Sequence, residues 1–332
     1  MKVLLYTENE KVIGKSGLGK AIKHQMKALN LAGIEYTTNK NDDYDILHIN
    51  TYFPASYLLC KKAKKMGKRI VYHAHSTEED YRDGFIFGRL TSKLFKKWLI
   101  KCYSMGDVLV TPTEYSKNLL DSYEMNKKIY AISNGIEIEK FKRDEKLGLE
   151  FRKKYGFTKE DKVIIGIGLY IRRKGIVDFV ELAKRMPEYK FIWFGYSPLA
   201  AATNDVKKAV NTKLDNLTFA GYVESKYIMG AMSGCDLYLF PTLEETEGIP
   251  AIEACACKCK TLIRDIPVFD GWLEDGVNVY KAKDIDEFYE KIPKIINGEL
   301  PDLTNKAYEV AFDRSLEVVG EKLKDVYNDV LR

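Results

Sequence analysis

Short β-rich runs alternate with amphipathic stretches along most of this chain, and this alternation constrains the fold more than any other feature. In the first part of the chain, the runs that we predict as strands are Val3–Tyr6, Ile46–Asn50, Arg69–His73, Val108–Thr111 and Ile129–Ile132. Apolar residues at helical spacing fill the intervals between these runs. Strands that alternate with helices are typical of a parallel sheet covered by helices on its faces.

The same pattern restarts after a polar stretch over Glu137–Lys162. The second set of predicted strands is Val163–Gly168, Lys190–Phe194, Leu217–Ala220, Leu237–Phe240 and Thr261–Arg264. The 332 residues suit about two domains at roughly 100–200 residues per domain. We predict an N-terminal domain over 1–145, a second over 146–310, and a C-terminal helix over 311–332 that packs back on the first. Because both domains have the doubly wound pattern, a ligand is expected in the cleft between them.

Composition excludes several classes of protein. With 45% apolar and 30% charged residues, the chain resembles neither a disordered tail nor a disulfide miniprotein. The longest stretch without a charged side chain, Ile46–Cys60, contains His48 and Pro54, so it does not predict a transmembrane helix. The two-residue steps of Cys255-x-Cys257-x-Cys259 do not match zinc sites, and we expect reduced thiols in a cytoplasmic protein without a bound metal.

The net charge of +5 is concentrated in the first part of the chain. Residues 60–101 hold 12 basic side chains against four acidic ones, and the stretch from Phe87 to Cys102 has helical apolar spacing. One interpretation is contact with an anionic membrane, and the other is a solvated helix packed on its own core. We favour the membrane over the solvated helix and over nucleic acid. The aromatic residues proposed to enter the lipid interface are Phe85, Phe87, Phe95 and Trp98.

The strongest chemical signal follows the strand predicted at Leu237–Phe240. A polar loop with Gly248 comes next, and Pro250 can open a helix as its first residue. The amides and dipole at that helix N-terminus favour an anion such as a diphosphate. Glu245 and Glu253 lie eight residues apart around the helix start, and carboxylates accept hydrogen bonds from ribose or sugar hydroxyls. The segment therefore predicts a nucleotide-sugar site, with two helix-capping acids as the alternative.

The Glu245-x7-Glu253 spacing in this context resembles the signature of the retaining family-4 glycosyltransferases of GT-B fold. Further motifs resemble that family in the expected order: Ser16-Gly17-Leu18-Gly19, Asp45–His48, Ser133–Ile136, Arg173-Lys174-Gly175, Phe194-Gly195 and Gly221-Tyr222-Val223. The resemblance implies two Rossmann-like domains facing across a cleft. It also implies transfer of a hexose from UDP-glucose or UDP-galactose, with retention at the anomeric carbon and no essential metal or other cofactor.

The resemblance also assigns roles to individual residues. Lys174 and Arg173 are expected to hold the diphosphate, Glu245 the sugar hydroxyls, Glu253 the ribose hydroxyls, and His75 the transferred sugar. The catalytic set is thus His75, Arg173, Lys174 and Glu245. The donor-binding set is Gly17, Gly19, Arg172, Tyr222, Thr246, Gly248, Ile249 and Glu253.

Two departures from the family pattern bear on the geometry of the site. Leu169 stands where many members have Arg, so a second cation must come from Arg172 or Arg173. Arg173 is preferred because it adjoins Lys174. Lys258 replaces the glycine that follows the signature helix, which puts the geometry of that turn in question.

The acceptor is predicted from the first domain. The His73–Asp80 run resembles bacterial enzymes that add a second hexose to monoglycosyl-diacylglycerol. Together with the basic segment, this resemblance implies a diglycosyl-diacylglycerol synthase that is peripheral on the inner face of the cell membrane and binds a glycolipid acceptor. One alternative is a family-4 transferase for cell-wall, capsule or protein-linked glycans. The other is a catalytically silent nucleotide- or carbohydrate-binding module.

Overall fold

The computed structural model of the chain describes residues 1–9, 14, 17–84 and 88–332. The chain forms two compact units. The first contains 1–82, 88–137 and 313–332, and the second is built mainly from 138–312. Three residues of the sequence-based interpretation, Ser16, Phe85 and Phe87, lie outside the described residues.

The first unit is built on a six-stranded parallel sheet in the order β2-β1-β3-β4-β5-β6. Its strands are β1 Lys2–Tyr6, β2 Glu35–Thr37, β3 Ile46–Ile49, β4 Arg69–His73, β5 Val108–Thr111 and β6 Lys128–Ala131. The helices of this part of the chain are α1 Gly17–Leu31, α2 Pro54–Lys65, α3 Glu78–Gly84, α4 Gly88–Tyr103, α5 Glu114–Asp121 and α13 Leu316–Leu331. Every residue of β3 is buried, as expected of a central strand covered on both faces.

The C-terminal helix α13 packs on α1 of the same unit. A Cβ at Gly320 would overlap the backbone carbonyl of Ala28, so the close approach of the two helices requires glycine there. We predict a C-terminal helix over 311–332, but helix α12 continues to Phe312 and ends there. A new helix begins after Ser315, whose side chain accepts a hydrogen bond from the Val318 amide, and this cap explains the break.

The second unit has a six-stranded parallel sheet in the order β12-β11-β10-β7-β8-β9. Its strands are β7 Val163–Ile167, β8 Lys190–Phe194, β9 Leu217–Gly221, β10 Leu237–Phe240, β11 Thr261–Arg264 and β12 Tyr280–Ala282. Its helices among the described residues are α6 Glu145–Lys154, α7 Ile176–Arg185, α8 Asn204–Val210, α9 Ser225–Gly234, α10 Ile249–Ala256, α11 Ile285–Ile296 and α12 Thr304–Phe312. Fully buried aromatic side chains such as Trp193 and Phe179 pack between this sheet and its helices. In both units the carboxyl ends of the parallel strands lie at one edge of the sheet.

The apolar spacing of α4 predicts a buried face that includes Leu90, Leu94 and Trp98, but of these three only Trp98 packs on the core. Leu90 and Leu94 are 82% and 69% exposed, whereas Phe95 and Trp98 turn toward the core. The Trp98 indole N–H donates a hydrogen bond to the Tyr52 carbonyl at 2.7 Å. Aromatic rings carry more apolar area than leucine, so burying Phe95 and Trp98 stabilises the unit more. Phe95 and Trp98 are therefore partly buried, and Leu90 and Leu94 are the most exposed apolar residues of this helix. Contact of this helix with a lipid interface stays a prediction.

Two further expectations concern the membrane and the cysteines. Across the described part of the chain, no helix combines the length and apolarity needed to cross a bilayer. The six cysteines carry thiols rather than disulfides, and five of them are buried: Cys60, Cys102, Cys255, Cys257 and Cys259.

Candidate active site

Two loops at the carboxyl edge of the second unit's sheet are joined by main-chain contacts. The 3-10 turn Arg172–Lys174 follows β7, and the loop from Pro241 follows β10. The Leu243 amide donates a hydrogen bond to the Arg173 carbonyl at 2.7 Å. Gly175 closes the turn at φ 74°, and a Cβ there would overlap the Pro241 carbonyl. Glycine at 175 therefore holds the basic turn against the loop that carries Glu245.

Glu245 is the centre of a buried charged cluster. Its carboxylate is ion-paired with the Lys174 ammonium group and lies 3.6 Å from the Arg173 guanidinium. The Thr242 hydroxyl donates to the same carboxylate at 3.0 Å. Burial alone would raise the pKa of Glu245, but the charges of Lys174 and Arg173 together with the hydrogen bonds hold it below its usual range. Glu245 is therefore a carboxylate at neutral pH, with two cations held beside it.

The two candidate arginines occupy different environments. Arg173 is held in the cluster, since its guanidinium also donates to the Glu244 carbonyl at 2.7 Å. Arg172 instead pairs with Asp205 at 3.1 Å, with two thirds of its side chain exposed. The structure thus brings Arg173, Lys174 and Glu245 together and directs Arg172 elsewhere. Leu169, which replaces the family arginine, is 42% exposed.

Helix α10 begins one residue earlier than the sequence predicts. Gly248 is its N-cap at φ 90°, Ile249 is its first residue, and Pro250 is the second rather than the first. Both positions suit proline because their amides have no partner within the helix. Glu253 is 2% exposed and lies one residue beyond the first turn. Sequence reasoning did not single out Glu247, a third acid of this loop, which is only 1% exposed.

The other predicted donor-binding residues are spread over both units. Tyr222 follows β9 and is 61% exposed, and Thr246 is half-buried in the loop before α10. Gly17 and Gly19 lie in the first turn of α1 rather than in a loop before it. Sequence reasoning expected a free glycine loop there.

His75 lies two residues beyond the end of β4 in the first unit. Its ring stacks on that of His73 with centroids 4.0 Å apart, and its Nε2 is 2.9 Å from the side-chain oxygen of Asn50. Burial lowers the pKa of His75 to about 3. The imidazole is therefore neutral at physiological pH.

Lys258 keeps the backbone conformation of the turn after α10, although it replaces the family's glycine. It adopts φ 52°, in the left-handed region that glycine usually occupies, and its ammonium group donates to the Asn305 side chain at 2.8 Å. The turn is thus kept in the presence of a side chain, at a conformational cost of about 1–3 kcal/mol. Within the described residues, no group of three or more His, Cys, Asp or Glu side chains is arranged to hold a metal ion.

Comparison with known proteins identifies the family. A model described as glycosyl transferases group 1 matches residues 149–313, and one described as Glycosyltransferase Family 4 matches residues 25–140. The processive diacylglycerol alpha-glucosyltransferase of Acholeplasma laidlawii is 39% identical over 335 aligned positions, which cover 100% of this chain and 99% of that protein. This chain belongs to the family-4 glycosyltransferases. The resemblance in its motifs is confirmed, and the protein is a hexosyltransferase by family.

Other similar proteins extend the comparison. The alpha-galactosylglucosyldiacylglycerol synthase of Streptococcus pneumoniae is 24% identical, covering 98% of this glycosyltransferase and 89% of the relative. Anabaena HepE, solved in complex with UDP-glucose, is 15% identical with a TM-score of 0.78, covering 99% of this chain and 100% of that one. The sucrose-phosphate synthase of Thermosynechococcus elongatus is 14% identical with a TM-score of 0.81, covering 100% and 99%. These likenesses, with the two parallel sheets, confirm the expected GT-B fold.

Proposed function

We propose that this glycosyltransferase moves a hexose from a UDP-sugar to a monoglycosyl-diacylglycerol and so makes a diglycosyl-diacylglycerol. The observation that carries the proposal is the 39% identity, over nearly the whole of both chains, to a diacylglycerol glucosyltransferase. That relative favours glucose as the hexose, and the galactosyl-transferring relative makes galactose the alternative. The donor is proposed to be UDP-linked because HepE, a whole-chain structural match, binds UDP-glucose.

The charged cluster of the second unit suits a diphosphate leaving group. Two cations and one carboxylate leave a net charge of about +1 around Glu245. Lys174 and Arg173 are proposed to stabilise the charge that develops on the diphosphate, and the first amides of α10 assist them. Lys174 and Arg173 would thus neutralise the charge that develops on the diphosphate. We propose that transfer proceeds without an added metal.

The proposed reaction takes place on one face of the sugar. The bond between the anomeric carbon and the phosphate oxygen breaks while a bond from the acceptor hydroxyl oxygen forms on the same side. The acceptor proton passes to the leaving phosphate oxygen, so the configuration is retained. Glu245 is proposed to accept hydrogen bonds from the hexose hydroxyls and thereby fix its orientation. The proposal needs no covalent nucleophile.

The remaining site residues take binding roles in the proposal. Glu253 accepts hydrogen bonds from the ribose hydroxyls, and Tyr222 lies at the nucleoside base. His75 is proposed to contact a hydroxyl of the transferred hexose. Gly17, Gly19, Thr246, Gly248 and Ile249 are proposed to let main-chain atoms approach the donor closely.

A basic face in the first unit supports a lipid acceptor. We define the basic face as the exposed lysine and leucine side chains of α2 and α4: Leu58, Lys61, Lys62, Lys64, Lys65, Leu90, Lys93, Leu94, Lys97 and Lys101. The two helices meet at Tyr57, whose ring lies 4.9 Å from the Lys61 ammonium group and 5.3 Å from that of Lys101. Each Lys near an anionic leaflet contributes about 1 kcal/mol to binding. The protein is proposed to bind the inner face of the cell membrane through this surface.

Charge reversal on the basic face tests the acceptor. The triple substitution Lys93→Glu, Lys97→Glu and Lys101→Glu should abolish binding to anionic liposomes and transfer to glucosyl-diacylglycerol held in them. Transfer to a short-chain soluble analogue should continue, because the donor cluster is unchanged. Lys96 is left intact because it is half-buried, with its ammonium group 4.1 Å from the Tyr123 ring centre, and is not part of the basic face.

The matched control reverses three exposed lysines of the second unit, Lys208→Glu, Lys213→Glu and Lys294→Glu, with the same change in net charge. It should retain at least half of the transfer to liposomes. Equal loss in both triple variants would overturn the basic face as a lipid surface. Robust transfer to a soluble glycan with none to glycolipid would favour a cell-wall, capsule or protein-linked acceptor.

A further inference from the structure

A hydrogen-bonded network of polar side chains is buried at the carboxyl ends of β3 and β4. Gln25 of α1, His48 of β3 and His73 of β4 are each less than 5% exposed. Asn50, which follows β3, is 2% exposed and connects this group to His75. Buried polar groups of this kind are strongly constrained, because a buried donor without an acceptor is costly.

The two amides set the direction of the hydrogen bonds. The Asn50 Nδ2 group donates to the Gln25 Oε1 atom at 2.9 Å, which turns the Gln25 Nε2 group toward the histidines. Gln25 Nε2 lies 2.9 Å from His48 Nε2 and 3.1 Å from His73 Nδ1. An amide NH₂ group only donates, so with Gln25 in this orientation both ring nitrogens, which lie 3.3 Å from each other, accept from it.

The protons of His48 and His73 follow from this. A neutral imidazole has one N–H, so His48 carries it on Nδ1 and His73 on Nε2, where it has no hydrogen-bond partner among the described residues. The His48 Nδ1–H donates to the Tyr327 hydroxyl of α13 at 2.6 Å. Burial lowers the pKa of His48 to about 3 and that of His73 well below its ordinary value, so both rings stay neutral.

The contact with Asn50 also determines which ring nitrogen of His75 carries the proton. Because Asn50 directs its NH₂ group to Gln25, its Oδ1 atom faces His75 Nε2 at 2.9 Å. An amide oxygen only accepts, so His75 must carry its proton on Nε2. The lone pair is then on Nδ1, the ring nitrogen that does not face Asn50.

We propose that Asn50 is a positioning residue that holds His75 in the Nε2–H tautomer, so that His75 Nδ1 accepts a hydrogen bond from a hydroxyl of the transferred hexose. The part concerning the hexose rests on the proposed function, and the tautomer does not. Held in this way, Nδ1 can accept a hydrogen bond from the hexose but cannot donate one. Neutral His75 is then a binding group that orients the hexose, not a general acid.

The four histidines of the chain make the tautomers directly measurable. A long-range ¹H–¹⁵N correlation spectrum of histidine-labelled protein at pH 7.5 should show four neutral rings. Protons are expected on Nε2 of His73 and His75 and on Nδ1 of His24 and His48. His24 is the internal reference, because it lies outside the network and its Nδ1 donates to the Gly135 carbonyl at 2.8 Å. A proton on Nδ1 of His75 would overturn the proposal.

Asn50→Leu tests the positioning role, with Tyr327→Phe as its matched control. Asn50→Leu should replace the single His75 tautomer with averaged ring shifts and lower kcat/KM for hexose transfer at least 10-fold. UDP affinity should not change, since UDP lacks the hexose. Tyr327→Phe perturbs His48 at the far end of the network and should leave the His75 tautomer and turnover within twofold.

The outcomes separate the two parts of the inference. If Asn50→Leu leaves kcat/KM unchanged while the His75 shifts average, the role toward the hexose is overturned. If His75 keeps its Nε2–H signature in Asn50→Leu, Asn50 is not the residue that holds it. A wild-type protein that transfers no hexose but shows the expected spectrum contradicts the proposed function and leaves the tautomer assignment standing.

Discussion

The Lys174 ammonium group is ion-paired with the Glu245 carboxylate in the second unit, and both side chains are at least 85% buried. The pair joins the turn after β7 to the loop after β10, two segments that lie 71 residues apart in the chain. A buried ion pair such as this one is destabilising when either partner is removed, because the other charge is then left buried without a counter-charge. The same ion pair therefore holds the donor cluster together and supplies the groups of the proposed chemistry.

Glu245→Ala should lower kcat for hexose transfer by about 100-fold or more, because the hexose loses its orienting carboxylate and two buried cations lose their partner. Transfer is measured by release of UDP, and folding by circular dichroism. Glu290→Gln, which removes an exposed carboxylate of α11, serves as the control and should turn over normally. Unchanged kcat in folded Glu245→Ala protein would show that the site is assigned incorrectly.

Gly175→Ala should displace the basic turn. The added Cβ meets the Pro241 carbonyl at a φ of 74°, so steric overlap adds to backbone strain. Gly156→Ala is a matched control, because Gly156 has a φ of 72° with no atom within 4 Å of the added Cβ. Gly156→Ala should cost about 1–2 kcal/mol of unfolding free energy and leave turnover intact.

Urea titrations measure both changes. Gly175→Ala should cost more unfolding free energy than Gly156→Ala and should reduce UDP-sugar turnover at least 10-fold. Equal stability and normal turnover in the two variants would contradict the role of Gly175 in holding Arg173 and Lys174.

The exposed leucines of α4 should act in membrane binding and not in folding. Leu90→Gln with Leu94→Gln should weaken liposome binding about 100-fold or more, because each leucine that enters the lipid interface contributes roughly 1.5–3 kcal/mol. Thermal stability should stay within a few degrees, since both side chains are mostly exposed. The matched control, Leu31→Gln with Leu149→Gln, changes two other exposed leucines and should bind normally. Flotation with liposomes distinguishes the two variants.

The buried histidines should make the first unit sensitive to acid. Burial lowers the pKa of His24 to about 4, against an ordinary value of 6.5. The unfolded chain therefore binds more protons below pH 6.5, and the free energy of unfolding falls as the pH is lowered toward 4. Each such histidine contributes about 1.4 kcal/mol per pH unit in that window. His24→Asn should reduce this slope by about that amount in urea titrations between pH 6 and 4.5, and an unchanged slope would contradict it.

The sequence predicts the central strands well because they are continuous apolar runs bounded by polar residues. Strand β3 over Ile46–Ile49, for example, lies within one residue of its predicted end. The edge strands β2 over Glu35–Thr37 and β12 over Tyr280–Ala282 were missed. Each is only three residues long, too short for a periodic signal.

The sequence also located members of the charged cluster: the resemblance to the family's phosphate-binding turn indicated Arg173 and Lys174, and the Glu245-x7-Glu253 spacing indicated Glu245. The hydrogen-bonded network around His75 has no such signal in the sequence. The hydrogen bond between His48 and Tyr327 joins residues 279 positions apart, and only the folded sheet brings them together. The exposed face of α4 was missed for a related reason, because packing of Phe95 and Trp98 depends on their neighbours in the unit.

The most direct test of the proposed function is mass spectrometry of lipids after incubating the protein with UDP-glucose or UDP-galactose. The acceptor is glucosyl-diacylglycerol in anionic liposomes, without added metal. We predict that one donor, expected to be UDP-glucose, adds a single hexose to give a diglycosyl-diacylglycerol. UDP release without any lipid product, accompanied by hexose transfer to a soluble glycan, would contradict the proposed acceptor.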